Sequence, residues 1–135
     1  MARPEKRSKN RGRKTTPVNI ETVRQLALAL PEVQEEVSDH SPVFRVKGKP
    51  IAWLTKDGES LLIKIDYLKR DILLNAEPGT FYVTDFYRCH PMMFVRLSGV
   101  SRDVLGDLLE QSWRLQAPKR LIQAFDAQQE SRRES

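Results

Sequence analysis

Two places in this 135-residue chain set one reactive side chain beside another. At Cys89-His90 a thiol adjoins an imidazole, the pair needed for a thiolate nucleophile with its base, or half of a metal site. Neighbours in a loop do not dependably face one another. No CxxC or HxxxH pair supplies the remaining ligands of a four-coordinate site. At Asp39-His40 a carboxylate stands where it could orient a base. With two histidines in all and no Gly-x-Ser-x-Gly turn, a hydrolytic triad has no nucleophile to complete it. Glu35, Glu36 and Asp39 offer oxygen ligands but lack the spacing of a calcium loop, and they suit a solvent-facing strand edge. No glycine-rich phosphate loop occurs. The residues therefore predict no catalytic site, no bound metal and no cofactor.

The basic residues carry more. The net charge is +5, but residues 1–16 hold seven cations (Arg3, Lys6, Arg7, Lys9, Arg11, Arg13 and Lys14) and one acid, Glu5. The other 119 residues hold 16 basic and 17 acidic side chains, so the body is close to neutral. Such a tail binds polyphosphate at low salt. In the body, Arg45, Lys47 and Lys49 alternate with apolar residues, and Lys64 is expected on the same exposed strand face. Arg88, in a nearby loop, can add to it. A positive strand face is one way to contact nucleic acid; an ordinary solvated sheet surface is the alternative.

These side chains are positioned by the stretch from Val43 to Ile65, VFRVKGKPIAWLTKDGESLLIKI. Three runs rich in β-branched and aromatic residues are separated by turns at Gly48-Lys49 and Asp57-Gly58, which predicts an antiparallel meander. Phe44 and Val46 point one way, with Arg45 and Lys47 opposite. Leu61, Ile63 and Ile65 oppose Leu62 and Lys64. The middle run is apolar on both faces. Before the meander, residues 34–40 read as either a short edge strand or a loop.

A first helix is expected from an Asn19 cap, with Ile20, Val23, Ala27 and Leu30 on one face, ending at Leu30-Pro31. Asp66 caps a second, with Leu68, Ile72, Leu73 and Leu74 as its buried side. Strands at Phe81–Asp85 and Phe94–Leu97 follow, joined through Tyr87, Arg88, Cys89, His90 and Pro91. Ser101 caps a longer helix with Val104, Leu105, Leu108 and Leu109 inward, and Pro118 restarts the last one, docked by Leu121, Ile122 and Phe125. Trp53 and Trp113 lie in apolar runs and are expected in the core, pocket lining being the alternative; Met92-Met93 fills gaps at a strand start.

The order predicts one α+β domain, a mainly antiparallel sheet with helices on one face. It divides into a disordered basic tail (1–17), the folded body (18–126) and a frayed polar end (127–135). One cysteine permits no internal disulfide, and no run reaches the roughly 20 apolar residues of a membrane helix, so a cytoplasmic protein is expected.

Read together, LALALPEV, VFRVKGKPIAWLTKDGESLLIKI, YLKRDILLNAEPGTF, YRCHPMMFVRLSGV and LLEQSWRLQAPKRL resemble the MmcQ/YjbR family of small bacterial proteins over about residues 20–125. The resemblance implies a two-layer α-β(3)-α-β(2)-α fold similar to secretion-chaperone-like domains. It implies DNA binding through strands, and supplies no catalytic residue. Where relatives place a polar residue and Trp after the loop histidine, this chain has Pro91-Met92-Met93. The expected function is weak, largely sequence-nonspecific DNA binding without catalysis. The tail supplies most affinity, and Arg45, Lys47, Lys49 and Lys64 orient the body. A protein-interaction or chaperone-like module is the alternative.

Overall fold

The computed structural model describes residues 18–134. Among these, the chain runs α1 (Ile20–Leu28), β1 (Val33–Ser38), β2 (Ser41–Val46), β3 (Lys49–Leu54), β4 (Ser60–Lys64), α2 (Tyr67–Ala76), β5 (Phe81–Tyr82), β6 (Met92–Arg96), α3 (Arg102–Gln116) and α4 (Lys119–Glu134). Six strands form one antiparallel sheet in the order β1-β2-β3-β4-β6-β5. The segment that read as strand or loop is the edge strand β1, so four strands precede α2. The fold is α+β, with all four helices adding side chains to the core on one face of the sheet.

Caps start the helices where the sequence sets them. Asn19 and Thr22 form a reciprocal capping box, and Asp66 and Ser101 each accept a backbone N–H. The first meander turn differs by one residue from expectation, and the second stands at Asp57-Gly58 as expected. The first lies at Lys47-Gly48, with φ of +50° and +82°, because a two-residue hairpin that matches strand twist needs positive φ at both positions. Asp39-His40 is the second turn of this kind, at +52° and +66°, and closes β1 onto β2. In the third hairpin, Asp57 Oδ1 accepts from Thr55 Oγ1 and the Glu59 N–H, fixing the loop into β4.

Two expectations about helices fail. On α2, Leu68 and Ile72 are 73% and 57% exposed; Leu73 and Leu74 pack on the core, and the buried residue is Arg70. Helix α2 meets the sheet mainly along β5 and β6, so a narrow stripe is covered and the next apolar positions stay in solvent. Helix α4 continues to Glu134 instead of fraying at 127, since AQQESRRE contains no glycine or proline to stop it. Val104 is also exposed. β5 is two residues long, where a strand to Asp85 was expected, and β6 starts earlier, at Met92.

Trp113 sits in the core as expected, wholly buried. Its indole N–H donates to the Pro31 carbonyl (2.9 Å) and its ring meets Phe125 edge-on. Trp53 does not join it.

Candidate functional site

Alternation divides the sheet into two unlike faces. Phe44, Ala52, Ile63 and Met93 stand in register toward the helices. The next row faces away from them: Val43 on β2, Trp53 on β3, Leu62 on β4, Phe94 on β6 and Tyr82 on β5. Among the described residues no helix packs on this row. Leu62, Met92 and Phe94 form a small second cluster, with Trp53, Tyr82 and Tyr87 half-buried against it. Trp53 was expected in the core. It lies here because it pairs with Leu62 and Val43, one residue out of phase with the core position Ala52.

A cavity of about 590 Å3 opens on this face. Trp53 and Tyr87 wall it, Leu62, Met92 and Phe94 form its apolar floor, and Lys64 borders it. That volume lies within the range of small-ligand clefts. Beside it Tyr82 stacks on Phe94, centroids 4.9 Å apart and planes within 9°, while Tyr82 Oη donates to Ser60 Oγ. The Arg96 guanidinium lies 4.3 Å from the Tyr82 ring centre. Tyr82 and Arg96 were missed in the sequence. The signal was available: Met92, Phe94 and Arg96 alternate on β6 as Ser60, Leu62 and Lys64 do on β4.

Tyr87 belongs to the loop between β5 and β6, and Arg70 holds that loop. Arg70 Nη1 donates to the carbonyls of Tyr87, His90 and Met92 (3.3, 2.8 and 3.2 Å), and Nη2 donates to that of Arg88 (3.0 Å). Tyr67 Oη donates to the Cys89 carbonyl. Phe86 stacks near His90, with Tyr87 edge-on to both. Cys89 itself is exposed, and among the described residues no three His, Cys, Asp or Glu side chains converge as a metal site would require. Asp39 and His40 are turn residues.

The charges sort into pairs. Arg45 reaches Glu36 (3.0 Å), Lys47 reaches Glu32 (3.4 Å), Lys56 reaches Asp39 (2.9 Å) and Arg88 reaches Asp85 (3.1 Å). The expected row of Arg45, Lys47, Lys49 and Lys64 on one strand face is therefore not what forms. Lys47 is in the turn, since the hairpin needs its left-handed backbone, and Lys49 begins β3 beyond it. Lys64 does share the open face with Arg45. Among the described residues, Lys49, Lys64 and Arg96 have no carboxylate within 4.0 Å. The cations from Arg3 to Lys14 lie outside the described residues. Their segment joins at Val18, beside Leu54, Gly58 and Arg96 at one end of the sheet.

The acids that could have made a cation site diverge. Glu36 faces the open side, whereas Glu35 faces the helices and accepts from Arg24 Nε (2.7 Å) and Nη2 (2.9 Å). That bidentate bond holds the Glu35 carboxyl below its usual pKa of 4.5. A lowered folded pKa gives stability that is present above 4.5 and lost as pH falls through the folded value. Glu35→Gln is expected to lower the urea midpoint at pH 7, by a gap that narrows as the pH is taken from 7 down to 3. A constant gap across this range would refute the coupling.

The family profile of YjbR matches residues 28–115. Curated relatives include the uncharacterised proteins Rv2570 of Mycobacterium tuberculosis (strain H37Rv) and Mb2600 of Mycobacterium bovis. Each is 38% identical over 53 residues, which is 39% of this chain and 41% of the relative, so the chain matches less than half their length. The crystal structure of Deinococcus radiodurans protein DR2400, with a DUF419 domain, is similar at a TM-score of 0.63 and 27% identity. The similarity covers 76% of this chain and 81% of that one. With the profile spanning the sheet, α2, the Arg70-held loop and most of α3, the chain belongs to the YjbR family.

Proposed function

We propose that this domain binds DNA weakly and with little sequence preference, as a cytoplasmic protein without catalytic turnover. The observation that carries this reading is the uncovered sheet face. Its cations Lys64 and Arg96, which have no carboxylate partner among the described residues, flank half-buried aromatic rings, and the segment with seven cations joins at its edge. The tail supplies most of the attraction, because the body's other face cations are largely neutralised by Glu36, Glu32, Asp39 and Asp85. Lys64, Arg96 and Lys49 orient the body. Among the described residues no helix presents a cationic row for major-groove readout, which fits low specificity.

The test is duplex binding by the full chain across a salt series, against a full chain with the seven tail cations replaced by glutamine. With about four to six phosphates contacted, log K is expected to fall against log salt with a slope near −4 to −5, and to flatten in the variant. Equal slopes would remove the tail from the reading. No binding of duplex or single-stranded DNA by the unaltered chain at low salt would end it.

A second reading, a protein-interaction module, is favoured by Leu68 and Ile72 exposed on α2 and by Val37 exposed on the unpaired edge of β1. A stable dimer on sizing, with no DNA bound, selects it.

A further inference from the structure

We infer that the cavity on the open sheet face is a base-stacking slot, and that the nucleic acid this protein takes is single-stranded. The inference rests on the nucleic-acid reading above and narrows it. A duplex keeps its base faces stacked inside and offers phosphates and groove edges. A surface built for it needs rows of free cations or an element that enters a groove. The open face has neither. Arg45, Lys56 and Arg88 are tied to acids. What it has is a concave apolar slot of about 590 Å3 walled by two aromatic rings. Splayed bases need such a surface, since every base has a π-face and stacking tolerates any sequence.

Among the described residues Trp53 has no ring partner, whereas Tyr87 meets Phe86, His90 and Phe94 edge-on. Tyr82 and Phe94 stack on each other, and Arg96 lies against Tyr82. Trp53 and Tyr87 border the cavity and are half-buried. Trp53 is fixed by its strand. Tyr87 is fixed by its loop, whose carbonyls Arg70 grips at four points. The slot is thus formed before any ligand arrives, which spares binding the cost of ordering it.

Charge selects the occupant. Lys64 borders the slot without a carboxylate partner, and Arg96 stands one strand over, on the side where Val18 enters. A single strand satisfies both needs at once, with bases on Trp53 and Tyr87 and phosphates on Lys64 and Arg96. An uncharged apolar peptide would leave these cations unused.

The chain carries its own reporter. It has two tryptophans, and Trp113 is wholly buried with its N–H bonded, so a change in emission on binding belongs to Trp53. The full chain is titrated with oligothymidylate about twelve nucleotides long, with a duplex of equal length, and with thymidine monophosphate. The single strand is expected to bind tighter than the duplex and to quench Trp53 emission. Trp53→Leu and Tyr87→Leu should each weaken single-strand binding roughly tenfold and leave duplex binding unchanged. The quench in the unaltered chain decides the matter even where a variant folds poorly. Duplex bound as tightly as single strand, with no quench, overturns the slot and leaves the DNA reading standing. Monophosphate quenching at the same concentration overturns the strand. No binding of either polymer overturns both readings.

Discussion

Replacing Arg70 by alanine is expected to cost about 3 kcal/mol of stability, a fall of roughly 10 °C in melting temperature. The guanidinium is almost wholly buried, and it serves carbonyls at residues 87, 88, 90 and 92. Removing it leaves several carbonyl acceptors without their donor. Charge alone cannot substitute: Arg70→Lys has a single nitrogen in place of a fork, and should recover less than half the loss. Arg70 Nε is itself buried without a partner, so the grip is already made at some cost, and the carbonyl bonds outweigh it. Thermal melts of the three proteins check this. A melting temperature within two degrees or so of the unaltered chain for Arg70→Ala would mean that water serves those carbonyls equally well.

Trp113→Ala is expected to be larger, about 3–5 kcal/mol, against a total stability of about 5–15 kcal/mol for a domain of this kind. The side chain is fully enclosed, touches Phe125 on α4, and bonds the turn after α1 through Pro31. Three elements lose a common contact. Trp113→Phe separates the contributions. It keeps most of the apolar volume but leaves the Pro31 carbonyl unpaired, for a loss of about 1–3 kcal/mol. Urea midpoints would rank the series. Equal midpoints for Phe and Trp at this position would show the Pro31 bond to be replaced by solvent.

Much of the fold was legible because local signals agreed with the packing. The caps at Asn19, Asp66 and Ser101, the Asp57-Gly58 turn and the alternation of β4 all appear where the residues set them. The errors have physical causes. Arg45 and Lys47 look like a cationic face in one strand, but their charges are cancelled by Glu36 and Glu32, which come from the chain before it. Cross-strand neutralisation cannot be seen until register is known. Lys47 misleads further because its turn demands positive φ from a residue that seldom takes it. Arg70 reads as an ordinary surface cation on α2, since nothing in the helix announces that a loop 17 to 22 residues later will fold over it. The cavity was hidden for the same reason. Trp53 fits a core pattern equally well on either face, and only the strand order tells which face the helices leave bare.

That strand order also bears on how the chain folds. The first four strands pair with one another in sequence order through short hairpin turns, and of these β4 alone also pairs outside the meander, with β6. Such hairpins close in microseconds and carry little loop-closure entropy. The bond from Trp113 to Pro31 joins residues 82 apart and can form only after α3 has docked. The meander is then the natural nucleus, and α3 the late arrival. Destabilising changes at Trp113 should therefore appear mainly as faster unfolding, with the refolding limb of the chevron little altered, whereas changes at Gly58 or Ala52 should slow refolding itself.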